Sequence, residues 1–333
     1  MKNTQLTDLS ELGLSESELF SHVDHSALES EKITAPRYSY WKSVFRVFFR
    51  KKINIVMLIL LVLVFFCSFV LPIFWPYDPM ENVLDAKTYF LSPAAAIRYF
   101  RDSPNYEANP IKWCLGTGQL GNSIMYGILS SARTSLLLAI ICAAINMTSG
   151  ILVGAIWGYS KRFDAVMLVI FNIVANVPYI LLISVLVYII GSGFWPFVFA
   201  LTVTGWLGIA YFFRTQVMII RDREYSLASR CLGTPVRRVI SKNILPFLTS
   251  VIVTLLATEL PSYISYEVFL SFIGIGLSAS VPSLGRMIQQ AQSAFLTYPW
   301  AFWPPVAIAS IITILLYLLG QNLADASDPR THM

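Results

Sequence analysis

Apolar residues in this chain run in long unbroken blocks, and the blocks have the length of membrane spans. A spanning helix needs about 20 mostly apolar residues, and six segments qualify: 53–74, 135–158, 166–190, 194–213, 246–272 and 301–320. Each is predicted as helix, because in lipid a single helix satisfies its own backbone hydrogen bonds. Ahead of the first block, Tyr38, Tyr40, Trp41, Phe45, Phe48 and Phe49 are interleaved with Lys42, Arg46, Arg50, Lys51 and Lys52. Rings mixed with long cations suit an amphipathic helix over 37–52 lying in the headgroup layer, its cations snorkelling to water. Residues 1–36 are polar and acidic (Asp8, Glu11, Glu16, Glu18, Asp24, Glu29, Glu31), with a partial leucine stripe at Leu6, Leu9, Leu12 and Leu19. That pattern predicts a mobile tail with nascent helix. The expected fold class is an all-α membrane protein of six transmembrane helices.

Composition agrees with the pattern. Of 333 residues, 56% are hydrophobic and 13% charged, against about 25% charged in soluble domains. The placement of Lys and Arg then orients the chain. With the amino terminus inside, the inner side receives Lys42 to Lys52, Lys161, Arg162, Arg214, Arg221, Arg223, Arg230, Arg237, Arg238 and Lys242. The outer side receives an uncharged 191–193 turn and a 276–300 loop whose basic residue is Arg286. In the long 75–134 segment, Lys87, Arg98, Arg101, Lys112 and Arg133 are balanced by Asp78, Glu81, Asp85, Asp102 and Glu107. Both termini, including the 321–333 tail, are therefore expected in the cytoplasm, with 75–134 outside and the remaining five spans forming a core over 135–320. The formal charge of +5 follows this membrane bias. No basic run stands outside membrane-flanking positions, so nothing calls for nucleic acid. Cys67, Cys114, Cys142 and Cys231 share no metal-ligand spacing, and His22 and His25 in the tail read as solvated side chains.

The loop between the fourth and fifth spans, 221–245, is punctuated as two short helices. Asp222 is placed to cap the first, and Gly233 to end it in a left-handed turn. Thr234 is placed to cap the second, with Pro235 at its first position, and Pro246 can open the next span. Glu224 and Arg230 carry the charge of the first helix, and its small residues Ala228 and Ser229 would let a partner approach closely.

This loop resembles the Glu-Ala-Ala loop of ABC importer permeases. Leu227, Ala228 and Ser229 stand at the triplet, with Gly233, Leu245 and Pro246 at the family's offsets. The triplet's acid is replaced by Leu227, and Glu224 lies one turn earlier. Further stretches resemble the second permease type of dipeptide and oligopeptide importers: Gly116 to Gly121 followed by Ser131 to Leu136, then Glu267 to Gly276, Pro282 to Ile288, and Ala324 to Arg330. The resemblance implies a type I ABC importer permease fold, with an elbow helix before the first span and a coupling helix in the 221–245 loop. It also implies partners: a second, non-identical permease, two ATP-binding subunits and an extracytoplasmic peptide-binding protein. ATP and magnesium would reside in the ATP-binding subunits, with no cofactor in this chain, and Glu224, Leu227, Ala228, Ser229, Arg230, Gly233 and Pro246 would transmit their motion.

Two carboxylates lie in the fifth span, where an ionisable side chain is costly and is expected to face a bundle interior or water. Glu259, Tyr263, Tyr266 and Glu267 fall on one side of a helix, with Pro261 available to kink it. This face is expected to line a path offering acids and hydroxyls to a peptide; the alternative is bonding across helices. Asn172 and Asn176, four residues apart before Pro178, are expected to hydrogen-bond between helices, and Gly150 and Gly154 to form a packing surface. The glycines at 116, 118 and 121 fit a nucleotide-loop spacing, but no strand precedes them. No phosphate-binding loop with its Lys occurs in the sequence, so ATP hydrolysis is assigned to other chains and this one is not expected to be an enzyme. The competing class, a secondary transporter or channel working alone, predicts inverted repeats and several interior charges. The sequence shows no such repeat and few such charges.

Overall fold

In the computed structural model, residues 39–103, 109–278 and 280–328 are described. The acidic 1–36 tail with His22 and His25, and residues 329–333 of the other tail, lie outside them. Helix α1, Tyr40–Arg50, buries Val44 and Phe48. It leaves Trp41, Phe45 and Phe49 exposed in an i, i+4, i+8 row whose successive rings stand 6.3 Å apart. Such a face suits an apolar boundary. The Asn54 amide donates to the Phe48 carbonyl at 2.9 Å and sets the corner into α2, Lys52–Phe74. That helix is apolar on every side, and most of its surface is open to the surroundings, as expected of a helix solvated by lipid.

After a short helix α3, Pro93–Asp102, comes α4, Ile124–Tyr159, with 36 residues. The second span was expected to begin at 135, and the helix that carries it starts eleven residues earlier, at Ile124. Ser123 caps the helix, its hydroxyl accepting from the Tyr126 N–H at 3.2 Å. The first turns carry Ser130, Ser131, Arg133, Thr134 and Ser135, which are helical but not apolar, so hydropathy alone misses them. At 1.5 Å per residue α4 runs about 54 Å, well past a hydrocarbon layer of about 30 Å.

The third expected span is two helices, α5 Lys161–Ala175 and α6 Tyr179–Ile190, bent by 81°. Pro178 causes the break: its ring removes a backbone donor and disfavours helix at Val177. The Asn176 amide turns back onto the Asn172 carbonyl at 2.5 Å. The pair therefore relieves the break within its own helix rather than bonding to a neighbour.

Four elements complete the bundle before its last helix: α7 Phe194–Arg221, α8 Glu224–Cys231, α9 Val236–Phe272 and α10 Leu284–Ala291. The last is α11 Pro299–Ser327. Helix α4 is the central pole, with α7 and α9 on its flanks and α11 between α9 and α2. Between helices in lipid there is little hydrophobic drive, so close backbone packing does the work. Gly154 shows it: a Cβ there would stand 2.6 Å from the Ala210 carbonyl oxygen of α7. Gly150 and Gly158 extend the same seam, confirming the packing role expected of the first two.

Candidate functional site

Where α5 breaks into α6, the bundle holds a cavity of about 380 Å³. Val177 and Pro178 of the break border it, with Thr204, Gly205 and Gly208 of α7 and Glu259, Tyr263 and Tyr266 of α9. The three α9 residues are spaced i, i+4, i+7 and so share one stripe. Irregular backbone at membrane depth is tolerated where it lines a cavity, and this break does.

A chain of hydrogen bonds fixes the polar wall. The Asn146 amide donates to the Tyr263 hydroxyl at 2.7 Å and to the Leu201 carbonyl at 3.2 Å. The Tyr263 hydroxyl in turn faces the Glu259 carboxylate one turn earlier on α9, and the Tyr179 hydroxyl donates to the Leu201 carbonyl at 2.8 Å. The Tyr179 and Tyr266 rings lie 5.3 Å apart at 66°, a tilted pair closing one side.

Glu267 is not part of this wall, although the sequence pattern placed it on the same face. At 100° per residue it stands about 80° round the helix from Glu259, which turns it toward α4 and α10. It is fully buried. The Ser135 and Ser271 hydroxyls donate to its two oxygens at 2.8 and 3.0 Å, and Ser283 and Gly285 at the start of α10 stand beside it. Ser135 also accepts from the Leu284 N–H at 3.2 Å. This carboxylate fastens three helices together, the bonding across helices that the sequence left open as the alternative.

The opposite feature is α8, held at the end of the bundle where α4 and α7 finish. Gly233 closes it at φ +75, a left-handed value suited to glycine. The Gly233 N–H donates to the Arg230 carbonyl at 2.9 Å and the Thr234 N–H to the Ser229 carbonyl at 3.2 Å, the double bond of a Schellman ending. The expected caps are not made. Arg223 holds the first cap position and Pro235 the second, without side-chain bonds. Asp222 instead pairs with Arg221 at 2.9 Å, and that guanidinium holds its carboxyl below the ordinary value. Ser226 supplies the anchor, its hydroxyl donating to the Ile220 carbonyl at 2.9 Å.

Glu224, Leu227, Ala228, Arg230 and Gly233 are exposed, with Ser229 half-buried between them. Leu232, at the helix end, is 86% exposed. Pro246 is exposed in a tight turn over Leu245–Leu248, preceded by a π-helical stretch Val239–Ile244. The regular helix starts only at Thr249.

One cluster escaped the sequence reading. Arg214 on α7 pairs with Asp164 on α5 through two bonds of 2.5 and 2.8 Å. The Trp157 indole donates to the same carboxylate at 2.7 Å. Arg221 adds a bond to the Gly158 carbonyl at 2.9 Å, so α4, α5 and α7 are tied together beside α8. Lys161, Arg162 and Arg214 had been read only as a sum of positive charge. An acid among them, Asp164, was the available signal.

Both the fold and these sites belong to a known class. Residues 150–333 match the family model described as the binding-protein-dependent transport system inner membrane component, and residues 39–93 match the N-terminal transmembrane domain of oligopeptide transport permease C. The chain belongs to this family of membrane transport permeases. It is 45% identical to the oligopeptide transport system permease protein AmiD of Streptococcus pneumoniae, over 95% of this chain and 98% of that one. It is 31% identical to the dipeptide transport system permease protein DppC of Bacillus subtilis, over 91% and 89%. With OppC, the oligopeptide permease protein of the same organism, the identity is 30% over 94% and 97%. Among solved structures, one of the inward-facing MetNI methionine ABC transporter is similar in fold. The TM-score is 0.52 at 18% identity, over 61% of this chain and 97% of that one. The all-α, multi-pass type I importer permease fold expected from sequence is therefore the fold observed.

Proposed function

We propose that this chain is one of two non-identical permease subunits of an ATP-driven oligopeptide importer, and that it converts motion of an ATP-binding subunit into opening and closing of a peptide path. The supporting observation is mechanical. Helix α8 hangs between α7 and α9, and those two helices carry Thr204, Gly205, Glu259, Tyr263 and Tyr266 on the cavity wall. A push on α8 can reach both sides of the cavity, along α7 and through the Leu245–Leu248 turn into the helix that starts at Thr249. On this reading α8 and both termini face the cytoplasm, following the Lys and Arg asymmetry, and Glu224, Leu227, Ala228, Ser229, Arg230, Gly233 and Pro246 form or support the docking face. With Leu227 in place of an acid and Leu232 open beside it, the contact is largely apolar. ATP and magnesium belong to the partner subunits, and a binding protein delivers peptide from outside.

Gly233→Trp tests the reading. Nothing lies within 4 Å of a Cβ built at Gly233, so the chain itself meets only the left-handed backbone cost, about 1–2 kcal/mol, while the ring would stand on the docking face. The expected result is copurification of the partner subunits from wild-type membranes, with ATP-dependent peptide uptake lost in the variant. Normal uptake by Gly233→Trp contradicts the mechanism, and uptake by the isolated chain in liposomes without nucleotide contradicts the class.

A further inference from the structure

The charge inventory of the cavity is lopsided. The donors on Tyr179 and Asn146 are already in use, on Leu201 and Tyr263. The Asn146 Oδ1 acceptor and the Thr204 hydroxyl are buried without a hydrogen-bond partner among the described residues. The Glu259 carboxylate meets the Tyr263 hydroxyl, although such a group offers about four lone-pair sites. No Lys, Arg or His is among the residues lining the cavity. Gly205 keeps the wall thin, since a Cβ there would stand 2.6 Å from Asn146 Nδ2 and 2.9 Å from the Tyr179 hydroxyl. The helix ends give no bias of their own. The carbonyl end of α5 and the amide end of α6 meet at the same break, so their dipoles oppose.

We infer that this cavity is a subsite for a cationic group of the transported peptide, an ammonium or guanidinium taken by Glu259 beside the Tyr179 and Tyr266 rings. Such a group brings a countercharge for the one acid, with N–H groups for its unfilled lone pairs, and a positive charge for the ring faces. At about 380 Å³ the space suits one long side chain or a terminal residue, not a whole oligopeptide. The inference rests on the reading of the chain as a peptide permease. A lysine side chain and a peptide amino terminus share the chemistry, and the test separates them.

The test uses the complete transporter in membranes, carrying wild-type chain, Glu259→Gln or Glu259→Asp, with three tripeptides: Ala-Lys-Ala, Ala-norleucine-Ala and N-acetyl-Ala-norleucine-Ala. Glu259→Gln is expected to lower kcat/KM for the cationic peptide, relative to the acetylated one, about tenfold or more, as loss of a charge-paired contact does; Glu259→Asp should recover part of it. A loss confined to the lysine peptide assigns the side chain, and one shared by both free-amine peptides assigns the terminus. Equal effects on all three peptides, or none, overturn the subsite. A second readout is independent of transport: labelling of Glu259 by a hydrophobic carbodiimide, followed by mass spectrometry. Lysinamide should protect the residue and N-acetyl-norleucinamide should not. If no peptide is carried, the permease reading falls, and protection still decides the subsite; equal labelling with both probes overturns it.

Discussion

Glu259 and Glu267 stand two turns apart on α9 and have opposite fates. Glu267 is fully buried and meets Ser135, Ser271, Ser283 and Gly285. Glu259 is half-buried, meets the Tyr263 hydroxyl and opens on a cavity. Residue type does not distinguish them. What differs is whether the acceptor capacity is filled. A filled carboxylate is a fastener, because removing it strands every donor it had gathered. One left partly empty keeps capacity for a ligand.

Breaking the fastener should give the largest effect. Glu267→Leu leaves the buried Ser135 and Ser271 hydroxyls without their acceptor, and a loss of about 2–6 kcal/mol is expected, at about 1–3 kcal/mol for each stranded donor. The readout is thermal unfolding and yield of the detergent-purified transporter. A Glu267→Leu protein as stable as wild type would remove the basis of the comparison. Ser135→Ala is the next step down. It takes one donor from Glu267 and the acceptor from the Leu284 N–H, and about 1–3 kcal/mol is expected. Hydrogen exchange should then rise at the start of α10; unchanged protection there means that Ser135 does not hold that helix.

The fastener also explains what could be read from sequence. Ser135, Glu267, Ser271, Ser283 and Gly285 lie in three separate stretches that resemble the permease family, and each stretch alone showed only a string of types. Folding brings the three to one point, which is why they were legible as family marks but not as a contact. The spans were legible because apolar blocks report lipid directly. The early start of α4 was not, because the polar residues from Ser130 to Ser135 interrupt its apolar run, and the break at Pro178 was underweighted because the run around it stays mostly apolar. At the cavity, Glu259, Tyr263 and Tyr266 followed from helical spacing. Tyr179, Thr204 and Asn146 did not, since they come from other helices and only packing unites them. The ending of α8 at Gly233 was legible from one residue's backbone preference. Its start was not, because Asp222 had a nearer partner in Arg221.

The smallest expected effect is the sharpest test of the comparison, because the same isosteric change can be made at both acids. Glutamine at 267 would turn its NH2 toward one of the two hydroxyls that now donate, Ser135 or Ser271, so it is a poor replacement for the carboxylate. Glutamine at 259 keeps an oxygen for the Tyr263 hydroxyl and turns its amide toward the cavity, where no donor has to be displaced. Glu259→Gln should therefore change stability by less than about 1 kcal/mol, in the range of an ordinary neutral exchange, while Glu267→Gln unfolds at clearly lower temperature. Equal midpoints for the two variants would mean that Glu259 is also a fastener, its cavity a packing defect and its spare lone pairs without consequence. Separate midpoints, with Glu259→Gln beside wild type, leave ligand binding as the use of an acid that the fold does not need.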